Sequence, residues 1–128
     1  MSIIITAQND LFDYMRTSVS GNAEEVPASG DAGWTLVTVG EQCYLFVDSD
    51  TAVSGTVDLD FYVKVRTKLE DDTTVYKVIK FGSADALPMN SIAIVSFGGT
   101  LRGGRFWIKP IISSSTETDP FDIYYLVV

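Results

Sequence analysis

The sequence predicts an all-β fold, an antiparallel β-sandwich of about eight strands with jelly-roll character, on three observations. Residues 57–69 alternate strictly, with Val57, Leu59, Phe61, Val63, Val65, Thr67 and Leu69 at every second position and Asp58, Asp60, Tyr62, Lys64, Arg66 and Lys68 between them. That period of two marks a strand with one dry and one wet face. Further β-rich runs of similar kind recur along the chain between turn signals, without a convincing long helix or an internal repeat. Finally, 128 residues suit one domain, 1–128, able to bury roughly two thirds of its unfolded surface. An immunoglobulin-like sandwich is the alternative, weakened because no pair of cysteines brackets a tryptophan.

Each element follows in order. Residues 2–6 (Ser-Ile-Ile-Ile-Thr) read as a short strand. Next, Asn9 or Asp10 could cap one helical turn that puts Leu11 and Met15 on a shared face, or the same residues could run extended through Phe12 and Tyr14. Residues 1–16 are thus a candidate amino-terminal arm. From 17 to 33 the composition turns to Ser, Gly, Ala, Glu, Asp and Pro27, which predicts a long surface loop and a candidate contact surface. Residues 34–39 and 42–48, separated by Gly40-Glu41, read as one hairpin. The long alternating strand 57–69 turns at Glu70-Asp71-Asp72 into a β-rich run over 73–81. No Asn-Gly or Asp-Gly is present, so a three-residue turn with Asp72 in the left-handed region is expected.

Residues 83–90 read as a loop. Residues 91–97 carry apolar groups on both faces, as expected of a strand inside a sandwich. A glycine-rich tip at 98–104 joins this run to a strand at 105–113, whose Pro110 lacks a ladder donor and belongs at an edge or bulge. A polar loop then leads to Pro120, which opens a final strand over 121–128 that is hydrophobic to its end.

Composition narrows the function. Formal charge is −8, from 17 acidic and 9 basic residues, with no His. Such a balance repels phosphate backbones and anionic membrane surfaces unless Lys and Arg are strongly segregated, so neither nucleic acid nor membrane is an expected partner. Without His the usual general base and the commonest transition-metal ligand are missing, so neither an enzyme nor a cofactor is expected. The single Cys43, flanked by Tyr44, Leu45, Phe46 and Val47, reads as a packed thiol. No stretch resembles a secretion signal or a membrane span, which predicts a protein made in the cytosol. Hydrophobic content of 46% implies either a well-filled core or apolar surface that meets another chain.

Each group of residues that could carry chemistry also has a plainer reading. Asp58 and Asp60 share one strand face about 7 Å apart, a spacing compatible with paired carboxylates; a solvated face is the simpler reading. Asp48 and Asp50, with Asp31 or Asp58, could bind calcium, but Val53 and Leu59 stand where an EF-hand needs Gly and Glu. The 98–104 segment lacks the Lys-Ser or Lys-Thr of a phosphate loop. Arg102 and Arg105 flank that tip and could dock on a partner's carboxylates. Trp34, Tyr44, Tyr62, Tyr76, Trp107, Tyr124 and Tyr125 could form a sugar-stacking platform or fill cores and cross-strand pairs. Tyr62, on the polar side of the most regular strand, would anchor a contact if exposed.

The start Met-Ser-Ile-Ile-Ile-Thr-Ala-Gln-Asn, the acidic charge, the absence of His beside one Cys and the hydrophobic run 121–128 together resemble the small jelly-roll decoration, or cement, proteins of tailed-phage heads. The resemblance implies a virion location on the capsid surface, a homotrimer and a major capsid protein as partner. It carries no site residue over. The expected interface residues, chosen from the sequence itself, are Tyr14 and Met15 in the arm, Tyr62, Arg102 and Arg105, and Tyr124 and Leu126 on the last strand. A carbohydrate- or receptor-binding module of a fibre or tail is the alternative function.

Overall fold

The computed structural model describes residues 11–17, 23–50, 55–97, 101–117 and 119–128. Eight strands run through them: β1 (Asp13–Thr17), β2 (Thr35–Thr38), β3 (Gln42–Asp48), β4 (Thr56–Lys68), β5 (Thr74–Pro88), β6 (Ser91–Ser96), β7 (Arg105–Ser115) and β8 (Asp122–Val127). Four of the antiparallel pairings are nested: β1 with β8, β2 with β7, β3 with β6 and β4 with β5. Rolling up that nested ribbon adds the pairings β3 with β8 and β4 with β7. Two four-stranded sheets result, β1-β8-β3-β6 (sheet A) and β2-β7-β4-β5 (sheet B). This is the jelly-roll wrapping of an antiparallel sandwich, and the expected all-β fold is borne out.

The core is what period-two alternation dictates. Val57, Leu59, Phe61 and Val63 of β4 are buried, facing Cys43, Leu45 and Val47 of β3, Ala93 and Val95 of β6, and Ile123 of β8 within one hydrophobic cluster. Phe97 packs edge-on against Phe61 at 6.0 Å and lies 5.3 Å from Phe81. Alternation persists to the end of β4, but burial does not. Val65 is only partly buried and Leu69 is 43% exposed, because the outer half of the β4–β5 hairpin runs beyond its partners in sheet A. The hairpin tip is the expected three-residue turn. Leu69 and Thr73 close it, and Asp72 has a φ of 68°.

Several sequence expectations are corrected. Strands β2 and β3 do not form a hairpin: β2 pairs with β7 in one sheet, and β3 with β6 and β8 in the other. The connection at Gly40-Glu41 is a corner between sheets. There Val128 is fastened to β3 by bonds from the Glu41 and Gln42 N–H groups to its carbonyl, at 2.6 and 3.1 Å. Likewise β6 and β7 belong to different sheets, so the glycine-rich segment between them is a crossing and not a hairpin tip; residues 98–100 lie outside the described residues.

Residues 83–88 continue β5 instead of looping, through a register irregularity at which Ala86 takes a φ of 52°. At the amino end, Asp13–Thr17 is extended, as in the arm reading and unlike the helical turn. The strand expected at 2–6 lies outside the described residues. Pro110 sits where β2 has already ended, and its carbonyl accepts from Arg16 Nη1 at 3.2 Å. Its missing N–H therefore costs no ladder bond.

The expected surface loop, in its described part 23–33, is bound across the outside of sheet B. The Glu24 N–H donates to the Ile112 carbonyl (2.7 Å), and the Ile112 N–H donates to Glu24 Oε1 (2.8 Å). Arg16 clamps the same carboxylate with both terminal nitrogens, at 2.8 and 2.6 Å. Lys64 Nζ donates to the Ser29 carbonyl and Lys109 Nζ to that of Ala32.

Candidate functional site on the outer faces of the sheets

Since odd-numbered positions of β3 face the core, Tyr44 and Phe46 point outward. Register then decides what stands beside them. Phe46 is opposite Tyr124 of β8 and Ile92 of β6; Tyr44 is opposite Leu126 and Ile94. Beyond β8, Tyr14 of β1 is opposite Tyr124. The rings form a chain, Phe12 to Phe46 at 6.0 Å, Phe46 to Tyr124 at 6.0 Å and Tyr124 to Tyr14 at 5.7 Å. Ile92, Ile94 and Tyr14 are 52%, 57% and 56% exposed, so this is a continuous apolar surface four strands wide.

Its polar rim is acidic. Asp48 is opposite Asp122 at one end, with Asp50 close by. Partial desolvation, and then the negative charges of Asp122 and Asp48, push the Tyr124 phenol above its ordinary value.

Sheet B presents the opposite character. Six of the nine basic side chains, Lys64, Arg66, Lys68, Lys80, Arg105 and Lys109, alternate onto its outer face. Lys64 lies over the rings of Trp34, Tyr76 and Trp107, at 5.1, 5.4 and 5.1 Å from their centroids, an arrangement that holds the cation by the negative ring faces. Tyr76 meets Trp107 edge-on at 5.7 Å. Next to this cluster Leu36, Arg66, Arg105 and Trp107 line a depression of about 380 Å³.

Of the residues singled out from sequence, Tyr14, Tyr124 and Leu126 converge on the apolar face of sheet A. Met15 does not join them. A register shift between Tyr14 and Arg16 makes it a bulge residue and turns it into the core at 9% exposure. Tyr62 does alternate outward but is only 6% exposed, so it offers no surface anchor. Arg102 pairs with Glu41 at 2.9 Å, and Arg105 lies on the other sheet. Tyr44 joins the apolar face, whereas Tyr125 packs toward the core.

Ile92, Ile94 and Phe46 were missed as site residues. The two-sided apolar pattern of 91–97 suggests an interior strand, yet β6 is the edge of sheet A and its second apolar set faces outward.

The acidic candidates have structural partners. Asp58 accepts from the Ala86 N–H (2.6 Å) and from Ser114 Oγ (2.7 Å), and these bonds hold its carboxyl below the ordinary range. Asp60 pairs with Lys80 at 3.3 Å. Among the described residues no three His, Cys, Asp or Glu side chains cluster as a metal site. Cys43 is fully buried, and burial pushes its thiol up to about 12.

No protein-family model, curated protein or solved structure matches this chain, so the fold and the two contrasting faces are what bear on its function.

Proposed function

We propose that this protein is a non-enzymatic structural component of a virion, a decoration or cement protein that binds neighbouring capsid subunits through the outer face of sheet A. The observation that supports the reading is the apolar surface built by Tyr14, Tyr44, Phe46, Ile92, Ile94, Tyr124 and Leu126 on a chain of net charge −8. A strongly charged protein keeps such a surface at a cost in solubility, unless another chain covers it.

The mechanism is adhesive. Aromatic and aliphatic side chains lose their contact with water on docking and supply the affinity, while the Asp48, Asp50 and Asp122 rim selects a partner surface with basic edges. Homotrimeric assembly and a capsid-protein partner follow from the resemblance to jelly-roll decoration proteins, and the jelly-roll wrapping agrees with that resemblance.

The test compares the parent with Tyr124→Asp and Ile94→Asp by light-scattering mass and by cosedimentation with capsid shells that lack the protein. The expected result is a parent that sediments with shells as an oligomer, and variants that remain folded by circular dichroism but stay in the supernatant as monomers. A parent that is monomeric and ignores the shells, or variants that bind as well as the parent, would overturn the proposal.

A further inference from the structure

The outer face of sheet B carries a second feature that the adhesive surface of sheet A does not use. Arg66 of β4 and Arg105 of β7 line the same depression, with the Trp107 indole and Leu36 as its apolar lining. Among the described residues neither arginine side chain makes an ion pair or a hydrogen bond. In a chain with 17 acidic groups to 9 basic ones, two exposed guanidiniums that line one depression and pair with no carboxylate among the described residues are open to an anion. Among the described residues no acidic side chain lines the depression, and the charge of Lys64, held over the neighbouring rings, adds to the local positive potential.

From this geometry we infer that the depression binds a single carboxylated sugar residue, such as a uronic or sialic acid at the end of a glycan. Its carboxylate accepts bonds from Arg66 and Arg105, and the apolar face of its ring lies on Trp107 and Leu36. The volume of about 380 Å³ falls in the range of small-ligand sites. A long polyanion is disfavoured by the overall charge of −8, whereas a lone carboxylate meets only the local cations. An acidic peptide fits less well. The depression opens on the face of the sheet and is lined by side chains; β2, the edge strand, contributes only Leu36 to it, so a peptide seated there gains few backbone bonds.

The experiment is a two-dimensional NMR titration of the intact protein, following the indole N–H signal of Trp107, which Trp107→Phe identifies. Glucuronic acid and N-acetylneuraminic acid are the probes; glucose, sodium sulfate and a Glu-rich peptide are the comparisons. The expected result is a saturable shift with both acidic sugars and none with glucose. The Arg66→Gln/Arg105→Gln variant should weaken binding by ~10-fold or more, the loss that follows from removing two charge-assisted contacts. The charge-matched Lys77→Gln/Arg102→Gln variant should leave it unchanged. An equal shift with glucose or with sulfate, tighter binding of the peptide, no saturable shift with either acidic sugar, or undiminished binding by the Arg66/Arg105 variant would overturn the inference. None of these outcomes bears on the sheet A surface, which capsid cosedimentation tests separately.

Discussion

Phe46 and Tyr124 stand directly opposite each other on β3 and β8, with ring centroids 6.0 Å apart, and both side chains point away from the core. One residue earlier on β3, Leu45 is fully buried between the sheets. A single strand thus supplies both the interior of the sandwich and its apolar exterior, and adjacent positions have opposite energetic roles.

That contrast predicts the outcome of two substitutions. Leu45→Ala should cost about 2–5 kcal/mol, because it removes a fully buried side chain and leaves a cavity. Tyr124→Asp removes a ring from an outer face and should cost about 1 kcal/mol, the scale of its cross-strand ring contacts. Chemical denaturation of both variants checks this; equal losses would show that the outer rings belong to the folding core.

Gly40 marks the corner at which the chain crosses between sheets. A Cβ placed there would sit 2.1 Å from the Val128 carbonyl oxygen, a backbone atom held by β3, so either the corner or the last residue must move. Gly40→Ala should destabilise by roughly 1–3 kcal/mol. Gly30→Ala, where nothing lies within 4 Å of the added carbon, is the control and should be neutral or slightly stabilising. Melting temperatures of the pair check the difference.

Glu24 ties the loop 23–33 to both Arg16 and β7. Burial alone would raise its pKa, but the Arg16 hydrogen bonds, the Ile112 N–H and the charges of Arg16 and Lys109 outweigh burial and hold it below the ordinary 4.5. A depressed carboxylate stabilises the folded state fully above its unfolded value and loses that stabilisation as pH falls through its folded value. Stability should therefore decline as pH drops below about 4.5. Glu24→Gln should be less stable at neutral pH and show a shallower acid decline. Urea unfolding from pH 7 down to pH 3 measures both, and an unchanged slope would dismiss the clamp as a pH-sensitive element.

Cys43 should be inert while the fold is intact, since its thiol is fully buried and pushed up to about 12. Iodoacetamide at mildly alkaline pH is expected to leave the native protein unmodified by mass spectrometry and to label it stoichiometrically in guanidinium chloride. Rapid native labelling would mean that β3 opens locally.

How much of the site was legible differs between its two halves. Tyr14, Tyr124 and Leu126 stand out from the sequence as aromatic and aliphatic groups in terminal strands, and they do share a face. Ile92, Ile94 and Phe46 carry no local mark that separates an outward apolar residue from an inward one. Only their pairing with Tyr124 and Leu126 reveals them. The depression on sheet B was less legible still. Leu36, Arg66, Arg105 and Trp107 come from three strands far apart in sequence, and register alone brings them together.

Local sequence by itself determined that 57–68 is a strand with Val57, Leu59, Phe61 and Val63 on one face, and that a three-residue turn with Asp72 in the left-handed region follows it. Each of these depends on neighbouring residues only, through the two-residue pleat and the φ preferences of short polar side chains. Tertiary structure alone decided that Gly40 is a corner and not a hairpin, that Met15 turns inward at a bulge, that Tyr62 is buried on the outer side of β4, and that two sheets of opposite surface character lie back to back. These outcomes depend on which distant strand each edge meets. An isolated period-two pattern satisfies a partner on either side equally well, so the choice is made only when the whole ribbon rolls up.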